Sequence, residues 1–110
     1  MQKSKSRFRP PVLLDTGAGV CIFRPKVADA LKIDWQNGPD ISIGGFGGTF
    51  IGYAADVKLV IPDASYAWDA RVVFSAAMDR SPYLGVLGYN GFFEHFEVRF
   101  TSRNFRVYLK

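Results

Sequence analysis

One cysteine in 110 residues, Cys21, leaves no intramolecular disulfide to staple the fold. Histidine is equally scarce. His95 stands alone, which excludes a histidine-rich metal site within one chain and leaves a Ser-His-Asp triad without a recognisable nucleophile motif. Nowhere do about 18 apolar residues run together, as a membrane-spanning helix requires. Met1 to Phe8 also lacks the apolar segment of a secretory signal. These absences set the expectation of a soluble, cytoplasmic chain with no membrane partner, no metal and no cofactor.

An excess of one charge is lacking too, once position is considered. The net charge is +4, but Lys3, Lys5, Arg7 and Arg9 supply four of the 14 basic residues, leaving ten basic against ten acidic from Pro10 onward. A basic tail on a neutral body is ordinarily a solvated segment. Aromatic residues that could stack on bases do not accompany it. The expectation is a disordered tail over residues 1–9, one domain over residues 10–110 and no nucleic-acid partner.

What the chain does hold is a series of short apolar runs punctuated by turn residues. Val12–Leu14 reads as a buried strand entered through Pro10-Pro11. Val20 to Phe23 is a second short run, and Pro25 to Ile33 a short helix with proline in its first turn. Ile41 to Tyr53 reads as a hairpin around a glycine-rich centre. That centre is no phosphate cradle, because no Gly-Lys-Ser/Thr signature and no helix follow it. Val57 to Ile61 alternates as a strand, and Tyr66 to Phe74 is strand-like and pairs naturally with it. Leu84 to Leu87 reads as buried, Asn90 to Phe96 as a helical turn, and residues 97–100 and 105–109 as a last hairpin. The pattern predicts an all-β fold, a small closed barrel with one or two short helices.

Two motifs carry chemistry. The first is Val12-Leu13-Leu14-Asp15-Thr16-Gly17-Ala18, a strand that ends on one carboxylate in a tight turn. A lone Asp-Thr-Gly arises by chance in a chain this long on the order of a few times in a hundred. The second is Leu84-Gly85-Val86-Leu87-Gly88. Together they resemble the single-lobed, retropepsin-like aspartic proteases of retroviruses and bacteria, over roughly Val12 to Lys110. The resemblance implies a retropepsin-like barrel, a polypeptide substrate and a homodimer, since one chain offers one Asp-Thr-Gly and the chemistry needs two carboxylates.

The resemblance also assigns roles. Asp15, Thr16 and Gly17 would form the catalytic turn, with the Thr16 hydroxyl bonding across to the partner's loop. Ala18 would keep the cleft open. Leu13, Ile22, Phe46, Leu84 and Val86 would line apolar subsites, and Gly45, Phe46 and Gly47 would form the tip of a flap closing over substrate. The chain departs from the family pattern in two ways. Gly19 and Tyr89 stand where members often carry an acidic or hydroxyl residue and an arginine, and only 14 residues precede Asp15. Two functions are therefore in play: an aspartic endopeptidase with an Asp15 dyad, or an inactive lobe that binds peptides or mediates dimerisation.

Overall fold

A computed structural model describes residues 2–3, 6–7, 11–45, 48–61 and 65–110. Strands hold 51% of it and helices 15%, so the fold is mostly β. The strands are β1 (Gln2–Lys3), β2 (Ser6–Arg7), β3 (Val12–Leu14), β4 (Ile22–Phe23), β5 (Asp40–Gly45), β6 (Gly48–Ile61), β7 (Tyr66–Phe74), β8 (Gly85–Leu87), β9 (Phe96–Phe100) and β10 (Phe105–Leu109). One sheet runs β2-β1-β6-β7-β4-β8-β3, with β5 branching from β6, and β9 and β10 form a separate pair.

The sheet curls into a half-barrel and does not close, which corrects the closed barrel expected from the strand pattern. Closure needs edge strands long enough to pair with each other. The edges here are β3, three residues long and ended by the Asp15 turn, and the two-residue β2. β9 and β10 pair with each other and with no other described strand. Of the tail expected over residues 1–9, residues 1, 4, 5, 8 and 9 lie outside the described residues. Gln2–Lys3 and Ser6–Arg7 pair antiparallel, and Gln2 lies opposite Lys58 on β6.

The long strand β6 is the spine. It pairs with β7 from Tyr53↔Phe74 to Ile61↔Tyr66 and with β5 from Asp40↔Tyr53 to Gly45↔Gly48. Tyr53 is thus the junction, beyond which the β5–β6 hairpin leaves the sheet. The expected separate strand at Val57 is merged into this single element, because pairing with β7 runs without a break through Ala54-Ala55-Asp56.

The main core lies on one face of the sheet. Phe23, Phe74, Val72, Val57 and Leu59 pack there against Val27, Ala28 and Leu31 of helix α1 (Pro25–Ala30) and against Phe92, Phe93 and Phe96. Helix α1 stops before the expected Ile33 because Lys32 turns left-handed at φ 59°, while Ile33 N–H returns to the Ala28 carbonyl at 2.9 Å. The turn over residues 91–95 is pinned by Trp68, whose indole N–H donates to the Gly91 carbonyl at 2.7 Å and whose ring meets the edge of Phe96 at 4.6 Å.

Candidate active site

β3 and β4 follow each other in sequence, yet β8 arrives between them. It runs parallel to β3 (Leu13↔Val86, Leu14↔Leu87) and antiparallel to β4 (Ile22↔Val86). Paired residues share a face of a sheet. Leu13, Val86, Ile22 and Val73 therefore form one row across four strands on the face away from the main core. Val86, Ile22 and Val73 pack with Met78 and Val20, and with Ile43 and Phe50 from the β5–β6 hairpin. The result is an apolar floor with the hairpin set down on it.

Asp15 follows β3 at the end of this floor, and strand alternation puts it on the Leu13 side. Its backbone N–H donates to the Leu87 carbonyl at 3.0 Å. Its half-buried carboxylate accepts the Gly17 N–H at Oδ1, 2.9 Å, and Ala18 N–H returns to its carbonyl at 3.1 Å. A short polar side chain bonding the backbone two residues on is how Asp fixes a tight turn. Here it also fixes the carboxylate. Thr16 and Gly17 are exposed and Ala18 is half-buried.

The turn is clasped from the other side by the segment after β8. Tyr89 N–H donates to the Ala18 carbonyl at 2.8 Å, and Asn90 N–H to the Gly19 carbonyl at 2.9 Å. Beneath this clasp lies the wholly buried Cys21. Its sulfur accepts Gly88 N–H and its thiol donates to the Asn90 carbonyl, each at 3.4 Å. Burial pushes the thiol up to about 11; the Gly88 N–H opposes the rise and the Glu94 charge adds to it. A thiol so held stays protonated at neutral pH and serves the fold, as a small buried donor does.

The expected lining residues divide. Ile22 and Val86 come together on the floor, and Leu13 joins their row while staying 38% exposed. Leu84 turns instead to the main core. Gly45 closes the described part of the hairpin opposite Gly48, and Phe46 and Gly47 lie outside the described residues. Ile43, Phe50, Val73, Val20 and Met78 were not expected here. The alternation of the hairpin arms was the available signal, but its register shows which alternate residues point down. Glu94 braces the 91–95 turn by accepting Gly91 N–H at 2.7 Å, and His95 Nε2 lies 3.4 Å from the same carboxylate. Among the described residues, no group of three or more His, Cys, Asp or Glu side chains could hold a metal ion. Among the described residues no helix is long and apolar enough to cross a membrane.

Compared with protein-family models, with curated proteins and with solved structures, the chain shows no match.

Proposed function

We propose that the chain is one lobe of a retropepsin-like aspartic endopeptidase, active as a homodimer that brings Asp15 of each copy together. The observation that carries this reading is the Asp15 carboxylate, held by the Gly17 N–H at the end of an apolar floor that a hairpin covers. Ile43 and Phe50 rest on the floor, so an extended peptide with apolar side chains takes their place there when the hairpin lifts.

The chemistry needs two carboxylates sharing one proton. The ionised one takes a proton from water as the oxygen attacks the scissile carbonyl, and the protonated one hydrogen-bonds the carbonyl oxygen. Collapse of the tetrahedral adduct then delivers a proton to the leaving amine. Like charges this close cannot both ionise, so the pair titrates as a unit; aspartic proteases are the standard illustration of that behaviour.

The β9–β10 hairpin offers a second copy a surface. Phe100↔Phe105, Val98↔Val107 and Phe96↔Leu109 share one face, and Phe100, Phe105 and Leu109 are 65%, 52% and 61% exposed. Phe96, Val98 and Val107 on that face pack on the main core, and Phe100, Phe105 and Leu109 extend it into solvent. The reading is tested by following cleavage of an apolar peptide at acidic pH against protein concentration. Activity should rise faster than linearly near the dimer dissociation constant. Strict proportionality in a sample shown to be monomeric would contradict it. Peptide binding without cleavage at any concentration would favour an inactive binding lobe.

A further inference from the structure

Ser75 is the one buried polar residue among those described, and it is fully enclosed. It stands where β7 ends. The last rung of the β6–β7 ladder is Tyr53↔Phe74, and past it β6 pairs with β5 alone. The Ser75 backbone turns away at that point, its N–H donating to the Phe23 carbonyl of β4 at 3.1 Å. Its side chain turns the other way. The hydroxyl donates to the Ile51 carbonyl at 2.8 Å and accepts the Ala77 N–H at 3.2 Å. A side chain thus supplies the rung that the β7 backbone no longer can. Gly52 lets the two segments close up here, since a Cβ on it would collide with Val73 and stand 3.1 Å from the Phe74 carbonyl. Below, Arg24 fastens the Ala76–Arg80 turn from the opposite side, its guanidinium donating to the Met78 carbonyl at 3.0 Å and to the Ser81 carbonyl. Met78 from that turn packs with Ile43 and Phe50 of the hairpin.

We propose that Ser75 is the positioning residue that anchors the root of the β5–β6 hairpin and sets its height above the Ile22–Val86 floor. The functional side of this assignment rests on the reading that the hairpin covers substrate. An unanchored Ile51 carbonyl would leave the hairpin joined to the body through Tyr53 and its apolar underside alone. It would lift more often, and a bound peptide would be held less well.

Hydrogen exchange on the free protein tests this without any need for activity. Ser75→Ala should speed exchange of the Ile41, Ile43 and Phe50 amides, which face across the β5–β6 ladder, by about five- to tenfold, the range that loss of one hydrogen bond gives. Val57, Leu59 and Val72 on the β6–β7 ladder should change less than about twofold. Ser75→Thr, which keeps the hydroxyl, should return the hairpin amides to near wild-type rates. If Ser75→Ala does not fold, Ser75→Cys, with its weaker donor, is read the same way. An equal rise in hairpin and ladder, no rise in either, or a Ser75→Thr protein as fast as Ser75→Ala would each overturn the assignment. In a cleavage assay Ser75→Ala should raise KM more than it lowers kcat. Wild-type protein that cleaves nothing would count against the endopeptidase reading and leave the exchange result standing.

Discussion

Gly88 sits so close to the Ala18 carbonyl that a methyl group on its Cα would stand 2.7 Å from that oxygen, and closer still to the Val20 carbonyl. Both obstacles are backbone, which cannot rotate away as a side chain can. The Asp15 turn and the segment after β8 are therefore locked by the absence of a side chain at one position. Gly88→Ala should destabilise the fold by about 3 kcal/mol, the upper range of overpacking, and read out as a lowered urea midpoint. An unchanged midpoint would mean that the clasp is looser than its distances imply.

Cys21 gives a pH signature. Its folded value of about 11 lies above the 9.0 of a solvated thiol, so above pH 9 the unfolded chain loses its thiol proton while the folded chain keeps it. The unfolded state then binds fewer protons, and stability falls as pH rises between about 9 and 11. The full loss amounts to about 2–3 kcal/mol at the conversion of 1.36 kcal/mol per pKa unit. Cys21→Ser, whose hydroxyl does not titrate there, should flatten that part of the profile relative to wild type. Parallel profiles over the window would show that the thiol is more open to water than its burial indicates.

Phe100 and Phe105 contribute little to the monomer, since each is more than half exposed. Replacing both with serine should change monomer stability by less than about 1 kcal/mol. The same change should weaken self-association about tenfold or more, because aromatic anchors dominate interfaces. Sedimentation velocity across a dilution series gives both the state and the constant. A variant that dimerises as tightly as wild type would move the interface elsewhere.

Much of the fold is legible in local pattern. Tyr66–Phe74 reads as a strand from its aromatic and β-branched residues, and it is one strand. The last hairpin is equally plain, because Ser102-Arg103-Asn104 separates two alternating runs. The Gln2–Lys3 and Ser6–Arg7 pairing is not legible, since two-residue polar strands have no period and take their order from the edge of β6. Barrel closure is not legible either, because it depends on whether distant edges meet. At the site, Asp15 announces itself by the motif around it, whereas Ser75 looks like any serine between a strand and a turn. Its role comes from Ile51, 24 residues away, and only the register of β6 on β7 brings the two together.

The decisive comparison is cleavage of an apolar peptide across acidic pH by wild type and by Asp15→Asn, at concentrations where sedimentation finds both dimeric. Asn keeps the shape of the side chain and can still accept the Gly17 N–H, but it cannot take a proton from water. Wild type should give a bell-shaped rate profile whose limbs belong to the carboxylate pair. Asp15→Asn should lose about 10²–10⁴-fold in rate, the scale of general acid–base catalysis, while remaining folded and dimeric. A folded, dimeric Asp15→Asn protein that cleaves at the wild-type rate would contradict the assignment of Asp15 as the catalytic acid.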